Sequence, residues 1–141
     1  MISYFQDAFD GFSPQTDKDA SIKFALVVIL KDERFRDLYE ILIDGNDIGE
    51  IVGDPGWSIE RRDIDKTNAN PYYSNWPLGK SFYIYVDPSE YELAFTEIFL
   101  SKNEFHEYVM KAVDSYTRQN PSNNTNEISK VKKYLADHTQ N

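Results

Sequence analysis

The 141-residue chain contains no cysteine. This absence excludes disulfides, thiol nucleophiles and every zinc site built on cysteine ligands. A domain of this length buries roughly two-thirds of the surface that its unfolded chain exposes, so it needs no covalent cross-link for stability. We therefore expect a single domain over residues 1–141, compatible with a reducing compartment.

Long apolar runs and a basic N-terminal segment are also missing. The longest apolar run, Phe24–Leu30, has seven residues, whereas about 20 are needed to cross a bilayer. Residues 1–12 contain Asp7 and Asp10 but no Lys or Arg, so the basic start of a secretory signal peptide is absent. We expect a soluble, cytoplasmic protein without a membrane partner.

Motifs of nucleophilic, phosphate-binding and metal-dependent enzymes are scarce as well. The chain has no G-x-S-x-G sequence and no glycine-rich phosphate loop. Neither of the two histidines, His106 and His138, has a second histidine at ligand spacing, and we expect His106 to be a partly exposed helix residue. The sequence thus predicts no catalytic residue, no metal ligand and no cofactor.

One acidic segment resembles a calcium-binding loop. Asp44, Asn46 and Gly49 occupy the first, third and sixth positions of an EF-hand. However, Ile48 and Pro55 stand at the fifth and twelfth positions, where oxygen ligands are required. A hairpin turn explains this segment better.

A second acidic segment contains Asp63 and Asp65, which follow Glu60. Acid–base chemistry needs two carboxylates in different environments, but these residues share a charged loop with Arg61 and Arg62, so ion pairing explains them more simply. An alternative function remains a small carboxylate- or metal-dependent hydrolase, which would use Asp44, Asp47, Asp63 and Asp65.

Apolar segments rich in β-branched and aromatic residues predict the strands of a sheet. The predicted hairpins turn at Asp44–Asp47 and at Asp87–Glu90, where residues that favour turns interrupt the apolar pattern. The predicted strands are Ser21–Leu30, Leu38–Ile43, Ile48–Val52, Phe82–Val86 and Tyr91–Leu100, with a short strand at Trp57–Arg61.

The C-terminal part predicts two helices. Ser101 and Glu104 form an S-x-x-E capping box, and apolar residues follow it at helical spacing. Residues 120–126 form a linker, and a second helix is predicted at Glu127–Ala136. The predicted order, with strands first and helices last, favours an α+β domain: an antiparallel sheet built from hairpins, with the two C-terminal helices packed on one face.

Acidic residues are unevenly distributed. Residues 1–100 contain 19 Asp and Glu against nine Lys and Arg, whereas residues 101–141 contain five against six. The resulting negative potential repels nucleic acid and attracts basic proteins. A basic protein is therefore the expected partner.

Residues 53–80 predict a long loop, since Pro and Gly interrupt any regular pattern. The loop contains both aromatic and acidic residues. Aromatic side chains anchor protein interfaces, and surrounding carboxylates steer a basic partner. Alternatively, the aromatic side chains fix the loop to the core. The candidate partner-binding residues are Trp57, Glu60, Asp63, Asp65, Tyr72, Tyr73 and Trp76.

In overall character, the chain resembles the immunity proteins of bacterial contact-dependent growth inhibition and related polymorphic toxin systems. The nearest local similarity is Leu93–Val109 (L-A-F-T-E-I-F-L-S-K-N-E-F-H-E-Y-V), a predicted strand, capping box and helix. The resemblance implies a cytosolic protein that binds a cognate toxin domain, often a basic nuclease, and blocks its active site or substrate path. A nucleic-acid mimic is a further alternative, although a net charge of −9 is modest for that role.

Charge reversal at Asp63 and Asp65 tests whether the loop takes part in partner binding. If these residues steer the partner, the reversal should slow association and weaken its dependence on salt. Association rates measured at several salt concentrations check this, and unchanged binding would remove the loop from the proposed interface.

Overall fold

A computed structural model describes residues 3–43, 48–49, 56–61, 76–88, 91–123 and 125–138. These residues form an α+β structure with two C-terminal helices, as the sequence predicts. The helices are α1 (Tyr4–Phe9), α2 (Ala20–Lys31), α3 (Phe35–Ile43), α4 (Lys102–Gln119) and α5 (Asn126–His138). The strands are β1 (Ile48–Gly49), β2 (Trp57–Arg61), β3 (Phe82–Val86) and β4 (Glu97–Leu100).

The strands form one antiparallel sheet in the order β1-β2-β3-β4. Three strands of four or five residues make up most of it, and the two-residue β1 extends it at one edge. The predicted strands Trp57–Arg61 and Phe82–Val86 are confirmed, as is the antiparallel pairing of β3 with β4. The last strand is shorter than predicted, because it begins at Glu97 rather than Tyr91.

The segment Ser21–Leu30, predicted as a strand, belongs to helix α2. Nine of the 12 residues of α2 are buried. A helix that is apolar on nearly all sides has no polar face, so its sequence shows no helical period. The prediction was wrong because a continuous apolar run fits a buried helix as well as a buried strand.

The segment Leu38–Ile43, also predicted as a strand, belongs to α3. Its buried residues Phe35, Leu38, Ile41 and Leu42 recur at helical spacing once the pattern is started at Phe35. The predicted pairing of this segment with Ile48–Val52 in a hairpin is therefore wrong, as is the order of strands first and helices last. The predicted turn at residues 44–47 lies outside the described residues.

The core lies between one face of the sheet and the helices. Helix α2 contacts β2, β3 and β4, while α4 contacts α1, α2 and β4. The rings of Phe82 in β3 and Phe105 in α4 stack with centroids 3.9 Å apart. Helix α5 contacts α3 and α4, so the helices cover the face that carries Trp57, Ile59 and Ile84.

Arg61 joins the end of β2 to the end of α3. Its Nη1 donates to the carbonyl oxygens of Ile41 at 2.8 Å and Leu42 at 2.9 Å, and its guanidinium lies 5.6 Å from the centre of the Phe82 ring. A cation at the carbonyl end of a helix is favoured by the helix dipole. This contact fixes α3 beside the sheet.

The predicted capping box at the start of α4 is confirmed. The Ser101 hydroxyl accepts from the Glu104 amide at 3.2 Å, and the Ser101 amide donates to the Glu104 carboxylate at 2.8 Å. This amide, together with Lys80 at 2.9 Å, holds the pKa of Glu104 below its usual range. In the described part of the chain, no helix has the length and apolar character needed to cross a membrane.

Replacement of Ser101 by Ala should lower the free energy of unfolding by about 1 kcal/mol, because the Glu104 amide loses its acceptor. Chemical denaturation of wild type and variant checks this. The matched control is Ser122→Ala at an exposed position beyond α4, which should change stability little. Equal losses in the two variants would contradict a specific capping contribution.

Candidate functional site

Alternation along the strands gives the sheet two chemically different faces. Trp57, Ile59, Phe82 and Ile84 are buried toward the helices. The side chains between them point to the opposite side, where most are half-buried and Glu97 is exposed. We call this side the outer face; it comprises Ser58, Glu60, Tyr83, Tyr85, Glu97 and Phe99.

The register of the sheet places aromatic and acidic residues of the outer face side by side. Tyr85 pairs with Ser58 on β2 and with Glu97 on β4, whereas Tyr83 pairs with Glu60 and Phe99. The Tyr83 hydroxyl also donates to the diagonal Glu97 carboxylate. Directly opposite and diagonal neighbours are the side chains that interact across a sheet, so this face is one connected surface.

Trp76 completes an aromatic cluster on the outer face. Its ring centroid lies 5.5 Å from that of Phe99 and 5.9 Å from that of Tyr83, which are themselves 4.7 Å apart. These separations are typical of favourable aromatic pairs. Trp76 is 7% exposed, so it supports the cluster more than it offers surface to a partner.

A turn beside Trp76 presents an apolar side chain to solvent. The Lys80 amide donates to the Pro77 carbonyl at 3.2 Å, and Gly79 has a φ of 80°, which a type II turn requires at this position. The turn leaves Leu78 98% exposed. Leu78 therefore exposes an apolar side chain two residues from Trp76 in the chain.

Glu97 gives the outer face an exposed negative charge. Many carboxylates are neutralised by ion pairs, whereas Glu97 forms none with any described residue. Glu97 thus keeps a charge that a basic partner can meet. The paired carboxylates are Asp7, Asp17, Asp19, Asp37, Glu40, Glu104, Glu107 and Asp137.

The structure separates the residues predicted to bind a partner. Glu60 and Trp76 come together with the outer face, whereas Trp57 is 3% exposed and belongs to the core. The guanidinium of Arg34 lies 5.4 Å from the centre of the Trp57 ring, so Trp57 fits the alternative in which an aromatic side chain fixes the chain to the core. Asp63, Asp65, Tyr72 and Tyr73 lie outside the described residues.

Sequence reasoning missed five residues of this surface: Ser58, Tyr83, Tyr85, Glu97 and Phe99. Their strands were predicted, but their faces were not assigned. The sequence F-Y-I-Y-V of β3 alternates strictly between large apolar residues and tyrosine, which is the period-two signal of a strand with two different faces. That pattern could have placed both tyrosines opposite the core.

The carboxylates of the hydrolase alternative, Asp44, Asp47, Asp63 and Asp65, also lie outside the described residues. Within the described ranges, no group of three or more His, Asp or Glu side chains is arranged to hold a metal ion. The hydrolase alternative therefore gains no support from the described residues.

His106 is buried rather than partly exposed, which corrects the prediction from sequence. Its side chain is 7% exposed and meets the Tyr134 ring edge-on at 5.6 Å. Its Nδ1 atom makes no hydrogen bond within the described structure. Burial, and then the positive charge of Arg61, lowers the pKa of His106 from 6.5 to about 4, so this histidine is neutral near neutral pH and helps to fill the core.

No protein-family model, no curated protein and no solved structure matches this chain.

The buried neutral His106 predicts a loss of stability in acid. Between pH 6.5 and about 4 the unfolded chain binds a proton at this site and the folded chain does not, so the free energy of unfolding should fall as the pH is lowered through this range. Denaturation measured from pH 7 to pH 4 should show a shallower fall for His106→Gln than for wild type. His138→Gln, at an exposed position, is the control; parallel curves for wild type and His106→Gln would contradict the prediction.

Proposed function

We propose that this protein is a non-enzymatic, acidic binding module whose outer face binds a basic partner protein. The observation that carries the proposal is the arrangement of Tyr83, Tyr85 and Phe99 beside the exposed Glu97. These aromatic and acidic residues share one face of a sheet whose other face is filled by the core.

The chemistry of this face suits protein binding. Tyrosine supplies a large contact area at a small cost in side-chain entropy and is enriched in the centres of interfaces. Carboxylates at the margin accelerate encounter with a basic surface and disfavour acidic competitors. Glu97 can act in this way, because it is exposed and forms no ion pair with a cation of the described residues.

We further propose that the partner is a toxin domain, as in the immunity proteins that the sequence resembles. A nuclease needs a basic path to hold the phosphates of its substrate. An acidic module attracted to that path would exclude the substrate without chemical action. The net charge of −9 at pH 7 and the outer face support this function.

A nucleic-acid mimic is less well supported by the described residues. It would need carboxylates in a continuous row at phosphate-like spacing. On the outer face, Glu60 and Glu97 are separated by aromatic side chains across the sheet. Such a surface resembles an interface centre with a charged margin more than a phosphate backbone.

Affinity capture from a lysate of the source organism tests the proposal with three baits. Wild type should retain a basic protein at low salt. Glu97→Lys should bind that protein about fivefold more weakly, because one attractive charge at the margin is reversed. The control Asp114→Lys makes the same charge change at an exposed position of α4 and should bind as wild type does.

The captured protein is then identified by mass spectrometry and assayed for nuclease activity with and without an excess of wild type. Inhibition by wild type, with weaker inhibition by Glu97→Lys, supports an immunity function. Equal capture by all three baits would show that the outer face is not the interface. Full nuclease activity in the presence of bound wild type would show that binding does not neutralise the partner.

A further inference from the structure

Strand β4 forms an edge of the sheet. It pairs with β3 on one side, and β3 is its only neighbour in the order of the described strands. An edge strand presents backbone N–H and C=O groups that no ladder uses, and these groups can pair with a strand from another chain.

The alternation of hydrogen bonds shows which backbone groups face outward. The Val86 amide donates to the Thr96 carbonyl at 2.8 Å, so this pair is hydrogen-bonded, and the register carries the same pattern to Ile84 with Ile98. In an antiparallel ladder every second residue bonds to the neighbour and the residues between point away. The backbone groups of Glu97 and Phe99 therefore point away from β3.

These outward groups are available for pairing. In the described structure, neither the Glu97 amide nor the Phe99 amide donates to another backbone group outside the sheet ladder. Ile98, whose side chain points to the core, remains partly exposed. A partly exposed core residue at this strand is consistent with an edge that the described residues leave uncovered.

From this edge we infer that an extended, basic segment of the partner adds to the sheet as a further strand beside β4. The inference rests on the proposed function and specifies how the partner is bound. Backbone hydrogen bonds to Glu97 and Phe99 would supply part of the affinity. A Lys or Arg on the outer face of the added strand would lie beside the Glu97 carboxylate and supply specificity.

Charge complementarity favours this occupant over a second copy of the same chain. Two copies would each carry a net charge of −9 and would bring Glu97 side chains together at one edge, where like charges destabilise pairing. An added basic strand instead offers the opposite charge at that position. The Glu97 carboxylate thus favours binding of a basic strand and disfavours binding of an acidic one.

Titration with a short synthetic peptide that alternates Lys and Thr tests the inference, observed through the backbone amide resonances of the protein. The Glu97 and Phe99 amide protons should shift downfield and saturate, because they gain hydrogen bonds, whereas the Ile98 amide, already bonded to β3, should shift less. A peptide of the same sequence with N-methyl groups on alternate backbone amides keeps the charge but loses donors, and it should bind about tenfold more weakly.

Two variants separate the backbone contribution from the charge. Glu97→Pro removes the charge and one outward donor without breaking the β3–β4 ladder, since proline is tolerated where the N–H faces away from the sheet. Glu97→Gln keeps the donor and removes the charge. Peptide binding should be lost in the first variant and reduced about threefold in the second. If Glu97→Pro does not fold, the N-methylated peptide makes the same comparison on the wild-type protein.

These experiments test strand addition beside β4 separately from the proposed function. Equal binding of the two peptides without amide shifts at Glu97 and Phe99 would overturn strand addition, and so would the absence of any binding. In both cases the capture experiment still decides whether the outer face binds a partner. Amide shifts that grow with protein concentration in the absence of peptide would also overturn it, because the occupant would then be a second copy.

Discussion

The burial of α2 is the constraint on which the rest of the structure depends. A helix with nine of 12 residues buried cannot leave any side in water without losing much of its apolar contact. The sheet lies along it, and α1, α3 and α4 surround it. Even its Lys23 is nearly buried, held by Asp17 at 3.1 Å and Asp19 at 3.5 Å. Because the described helices pack on this side of the sheet, the opposite face of the sheet lies outside the core.

Internal ion pairs reduce the negative charge that the acidic composition makes available to a partner. Asp19 contacts Lys23 and also accepts from the Tyr108 hydroxyl at 2.6 Å. Burial, and then this hydrogen bond, raises the pKa of Tyr108. Asp7 accepts from Ser115 at 2.5 Å and from Arg118 at 2.9 Å, so it fixes α1 against α4. Such carboxylates stabilise the fold and contribute little to steering a partner. Composition alone therefore overstates the charge available for binding, because eight carboxylates of the described residues form internal ion pairs.

Local signals predicted the elements whose sequences have a clear period or cap. The strand predicted at Phe82–Val86 and the capping box predicted at Ser101 are both confirmed. The apolar run of α2 indicates only that the segment is buried. Whether such a segment forms a helix or a strand depends on tertiary contacts, which a short stretch of sequence does not contain. The same limit applies to the candidate site: Glu60 and Trp76 were selected for their chemistry, but the proximity of Trp76 to Phe99 arises from strand register and chain reversal, which separate segments cannot reveal.

The outer face and the edge of β4 are continuous, and this continuity gives the two proposals a common physical basis. Glu97 and Phe99 belong to both, since their side chains lie on the face and their backbone groups point out from the edge. Backbone pairing alone accepts almost any extended chain, whereas side chains on a flat face leave a ligand free to slide. A partner that used both would be fixed in register by the ladder and selected by Glu97 and the tyrosines. Specificity would then come from two sets of contacts, each of which is weak by itself.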